Sequence, residues 1–272
     1  MQKGVGRKSI QGYIQIAVIA VLCAFTVLLD IIDVTLCQDE FYNRMLCKIV
    51  QQVLGSVAGI MVLLRLGIKG FCKPQNLLYM LPCLLIAIDN FQFSAYFNGK
   101  MQLVRTAPCD FVIFFLYCML VGLFEEIVFR GIVFAILAGL FSKDKKGLLL
   151  TYAISSLVFG AAHLFNGFSA ATLRQAGYTV LTGGLFAFCF IKTKSIFCCA
   201  CIHGVFNFCG LLFDKQGLGN GVVFDKGTVI TMLVVSIVLG VFILYKTWKY
   251  PEKEREVLYS RLGIKGKTEQ EV

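Results

Sequence analysis

The chain has 272 residues, of which 58% are hydrophobic, 13% aromatic and only 15% charged, and it carries a net charge of +10. A soluble domain holds roughly 25% charged residues, so composition excludes a soluble fold. The positive charge lies outside the apolar blocks, which argues against nucleic acid and for a membrane surface as its partner.

The apolar blocks approach the ~20 residues that a spanning helix needs. In chain order the expected spans are Tyr13–Leu29, Val50–Leu66, Leu77–Phe93, Pro108–Glu126, Gly147–Phe165, Gly177–Ile191, Ser195–Phe213 and Thr228–Tyr245, the fourth open to extension as far as Leu140. All read as helices, because backbone groups in lipid must be satisfied within the segment. The expectation is an all-α, polytopic membrane bundle of about eight helices. Residues 1–107 carry the first three, 108–213 the next four, and 214–272 the last helix and a basic tail. The first segment lacks a small-residue cleavage site and reads as a retained anchor.

With an even number of spans both termini share a side. Arg44, Lys48, Lys100, Arg105, Arg174, Lys215 and Lys226 fall on the opposite side and Arg130 inside the membrane, leaving 18 of the 26 Lys and Arg with the termini. The positive-inside rule places that side in the cytoplasm and the tail on anionic headgroups. Most of the 12 cysteines fall within spans as small packing residues, with Cys37 and Cys47 the one pair placed for an external disulfide. The hexapeptide RLGIKG occurs at 65–70 and again at 261–266, too short for a duplicated domain.

Ionisable groups inside such spans mark functional sites. The two histidines, His163 and His203, both fall there, with Glu125, Glu126 and Arg130. Glu126 and Arg130 are four residues apart with the acid first, the favoured orientation for an intrahelical pair. Glu125 points about 100° away, is less compensated, and suits a general base. Phe159 lies one turn before His163 and can wall its ring. His203 and Asn207, also one turn apart, can donate together to an oxyanion. The plainer alternatives are an ion-pair network that locks helix packing and an interhelical clamp. Counted from the basic turns, Glu125 and His163 lie at similar depth and His203 is shallower. They meet only if the hairpin is tilted, broken near Gly131, or extended past the bilayer surface.

These residues form three motifs on separate helices: Glu125-Glu126-Ile127-Val128-Phe129-Arg130, Phe159-Gly160-Ala161-Ala162-His163, and His203-Gly204-Val205-Phe206-Asn207. In that order they resemble the CPBP family of CAAX proteases and bacteriocin-processing or Abi-type proteins, whose pattern is EExxxR, FxxxH and HxxxN or HxxxD. The resemblance implies a glutamate-dependent intramembrane endopeptidase acting on a membrane-associated peptide or anchored protein, as in bacteriocin self-immunity or peptide maturation. It implies that Glu125 with His163 activates water, that His203 and Asn207 stabilise the oxyanion, and that Glu126, Arg130 and Phe159 support the site.

No cofactor is required by that scheme. Zinc or another divalent metal is the alternative, with His163, His203 and Glu125 as ligands, although no HExxH spacing is present. The short loops suggest a bacterial cell membrane. Rival readings are a proton-coupled transporter or channel, against which stand the lack of repeats and paired broken helices, and a non-catalytic immunity protein that binds a bacteriocin.

Overall fold

The computed structural model describes residues 34–264 apart from residue 168, so the expected first span, Tyr13–Leu29, lies outside the described residues. The described chain is helical, with one isolated antiparallel bridge between Leu103 and Gly219. In order come α1 (Glu40–Leu66), α2 (Leu77–Asp89), α3 (Phe93–Phe97), α4 (Pro108–Leu140), α5 (Lys145–Ala162), α6 (Ala170–Thr193), α7 (Ile196–Leu211), α8 (Lys226–Trp248) and α9 (Glu252–Arg261). A 3-10 turn, His163–Asn166, extends α5. The side chains of Asp39, Asp144, Ser169, Ser195 and Asp225 cap α1, α5, α6, α7 and α8 by accepting first-turn N–H bonds.

By length and composition, α1, α4, α5, α6 and α8 can each cross a membrane, while α2 and α7 are shorter apolar helices. Among the described residues, five long helices thus stand against the seven expected spans that fall there. The third expected span, Leu77–Phe93, stops at Asp89, because the chain breaks at Asn90–Gln92 with Gln92 at φ 58. The seventh, α7, has 16 residues. The fourth does run on to Leu140, but through a π-helical segment, Ile127–Val133. That segment contains Gly131, so the helix departs from regular geometry at one of the alternatives the motif depths left open.

The centre of the bundle is α6, where every residue from Leu185 to Ile191 is buried. A helix apolar all round belongs inside a bundle. Small residues bring its neighbours together. A Cβ on Gly122 of α4 would lie 2.8 Å from Ala200 O and from Gly204 N of α7, and one on Gly204 would clash with Met119 Sδ. The two backbones therefore touch, one turn before Glu126 and beside His203.

The two ends differ. At one, Asp39 pairs with Arg105 at 2.8 Å, Tyr42 donates to Asp110 and Lys100 pairs with Asp225 at 3.0 Å. Cys37 and Cys47 are free thiols, not a disulfide. At the basic end the tail does not simply lie on headgroups. Leu258, Tyr259 and Leu262 are buried, and Arg261 donates to Lys194 O and Lys73 O while Tyr250 donates to Ile191 O. Burial pushes the Lys194 ammonium below its ordinary pKa, partly offset by Glu254 at 3.5 Å.

This docking accounts for the repeated hexapeptide. Gly67 and Gly263 both adopt left-handed φ, 71 and 73. Ile68 N bonds Leu63 O and Gly67 N bonds Leu64 O; Ile264 N bonds Tyr259 O and Gly263 N bonds Ser260 O. Each copy is thus a Schellman cap with an apolar residue after the glycine, Ile68 buried and Ile264 partly buried. The two caps abut through Lys69 N and Arg261 O at 2.7 Å.

Candidate active site

Glu126 and Arg130 are buried, at 0% and 1% exposure, with Arg130 Nε 3.2 Å from Glu126 Oε2. Neither atom makes a hydrogen bond, so the angle is poor and the attraction is Coulombic. The guanidinium is held otherwise: it donates to Gly183 O at 2.7 Å and lies 4.7 Å and 5.5 Å from the ring centres of Phe159 and Phe186. The sequence pairing of these two residues holds, with α6 supplying the hydrogen bond.

Glu126 has a second partner. His203 Nδ1 lies 2.9 Å from Glu126 Oε1. A carboxylate accepts, so Nδ1 carries the proton and Nε2 is the atom turned elsewhere. Nε2 lies 3.8 Å from Glu125 Oε2, beyond a direct hydrogen bond. That carboxylate oxygen is buried and has no hydrogen-bond partner among the described residues. Phe186 stacks on the imidazole, with centroids 4.4 Å apart and planes at 18°. His203 thus stands between the two glutamates.

Phe159, expected to wall His163, touches both histidine rings edge-on, at 5.1 Å for His163 and 5.8 Å for His203. His163 Nδ1 lies 3.0 Å from Phe159 O. A carbonyl only accepts, so Nδ1 donates and Nε2 of the neutral ring is left as an acceptor. The structure therefore joins Glu125, Glu126, Arg130 and His203 directly, and His163 through Phe159. No hydrogen bond or ion pair links Glu125 to His163, or engages the Asn207 side chain, among the described residues.

A comparison with known families bears on this cluster. Residues 107–209 match the family described as type II CAAX prenyl endopeptidase Rce1-like. The matched segment runs from the start of α4 to within two residues of the end of α7 and holds all three motifs, consistent with the CPBP resemblance. That likeness to a protease family over part of the chain, with several membrane-length helices, supports an integral membrane protein with an endopeptidase-like segment. No curated protein and no solved structure matches the chain.

Two contributors to the site escaped sequence reasoning. Phe186 is one of 25 phenylalanines and belongs to no motif. Gly183 also belongs to none, and its carbonyl holds Arg130. Among the described residues no three His, Cys, Asp or Glu side chains are grouped so as to hold a metal ion, while His163 and His203 each donate Nδ1 to a protein acceptor and keep Nε2 free.

Proposed function

We propose that the protein is a glutamate-dependent intramembrane endopeptidase that cuts a peptide bond in a membrane-associated peptide or anchored protein. The observation that carries this reading is His203, held by Glu126 and Phe186 with Nε2 facing the unpartnered Glu125 Oε2. Two atoms 3.8 Å apart are close enough to share one water.

In this reaction Glu125 takes a proton from water as the oxygen attacks the scissile carbonyl carbon. His163 Nε2 is the second acceptor for that water. The carbonyl electrons move onto oxygen, and the oxyanion accepts from the Asn207 amide and from His203 Nε2 when protonated. Collapse breaks the C–N bond, and Glu125 returns its proton to the leaving amine. Glu126, Arg130 and Phe159 hold the geometry. No step is routed through a metal.

The setting supports a membrane substrate, since His203 lies eight residues along α7 from Ser195, about 12 Å. Self-immunity to a bacteriocin, or maturation of a secreted peptide, are the settings we favour, in a bacterial membrane with both termini cytoplasmic.

The test uses full-length protein in phosphatidylcholine vesicles with two fluorogenic peptide panels, one prenylated at a CAAX cysteine and one anchored by a spanning segment. Glu125→Gln should lower kcat by about 10²–10⁴ with unchanged helical content. Wild-type turnover in folded Glu125→Gln refutes the assignment.

A further inference from the structure

Asp89 is the last residue of α2, just before the break. Its neighbours in the break turn inward: Asn90 donates to Phe206 O of α7 at 3.0 Å, and Gln92 donates to Asn90 O. Asp89 instead faces a cavity of about 460 Å³ between α2 and α8, lined by Leu85, Ile88, Phe93, Val234, Val238 and Leu239. Of these walls Leu85, Ile88, Val234 and Val238 are exposed on the outside of the bundle.

The carboxyl has no hydrogen bond or ion pair among the described residues. It also sits deep. The start of α8 is held at the less basic end, where Ser94 donates to Asp225, and Val234 lies eight residues farther, about 12 Å into the helix. Two costs therefore coincide. An ionisable group faces an apolar groove at membrane depth, and a carboxylate lies at a helix C-terminus, where the dipole opposes it.

Hydrocarbon chains offer such a group no donor. Residues 13–29 contain no Lys or Arg. What complements an apolar groove with one acid is an apolar segment with one cation.

We propose that the α2–α8 groove is a lateral docking site for a membrane-spanning peptide segment carrying a lysine or arginine at the depth of Asp89. The valine and leucine walls pack against the incoming helix, and its cation pairs with the carboxylate. None of the lining residues belongs to the glutamate–histidine cluster, so the proposal stands apart from the peptidase reading.

The test reconstitutes full-length protein, with a photoreactive benzoylphenylalanine at Val238, in phosphatidylcholine vesicles with synthetic spanning peptides. One leucine–alanine peptide carries a single lysine a third of the way along, and the other has leucine there. The lysine peptide should crosslink about tenfold more than the leucine peptide. Asp89→Asn, checked for unchanged helical content, should reduce it to the leucine level. Equal crosslinking of both peptides, crosslinks to lipid alone, or a lysine preference that survives Asp89→Asn would each overturn the proposal.

Discussion

Arg130→Met keeps a long side chain and removes its charge. Glu126, at 0% exposure, would then retain only the 2.9 Å hydrogen bond from His203. Breaking one partner from a buried pair costs about 3–5 kcal/mol, because the remaining charge is uncompensated. Loss of the Gly183 hydrogen bond and the Phe159 contact adds roughly 1 kcal/mol. The expected loss is therefore about 4–6 kcal/mol. Arg130→Met combined with Glu126→Met removes both charges and should lose less, about 1–2 kcal/mol. Reversible unfolding in mixed micelles, followed by circular dichroism as dodecyl sulfate rises, measures both. A single variant that loses under about 1 kcal/mol, or a double variant that loses the sum of the two singles, would refute mutual compensation.

Two further outcomes follow from the site and from the far end of the bundle. Phe186→Leu removes the ring stacked on His203, so kcat should fall about tenfold with KM unchanged; lost stability with unchanged kcat would make the ring packing alone. At the start of α8, the Thr228 backbone N–H, then Lys100 and Asn98, hold the Asp225 carboxyl well below the usual carboxylate range. A depressed folded-state pKa contributes stability above the unfolded value, about 3.9, and loses it as pH falls through the folded value. Wild type should thus melt above Asp225→Asn at pH 7, and the gap should close only well below pH 4. A gap independent of pH would contradict the charge pairing.

Much of this protein was legible in one dimension because membrane solvent imposes strict local rules. Apolar blocks must be helices, and rare ionisable residues within them stand out against hydrocarbon. The i to i+4 spacing of Glu126 and Arg130 is a property of a single helix, so that pair could be named in advance. A break near Gly131 was among the expectations, and the helix is π-helical there, over Ile127–Val133.

What depended on the third dimension is every choice between helices. The contact at Gly122 and Gly204 sets α7 against α4 and brings His203 between both glutamates, a placement the spacing of the motifs left open. Backbone approach of that kind is set by the crossing of two helices, which no spacing along either one encodes. The same holds for Phe186, for the Gly183 carbonyl, and for the break after Asp89 that shortened the third expected span. In the twin RLGIKG segments each cap is a local consequence of its glycine, but only packing of α9 under the bundle makes the two caps meet.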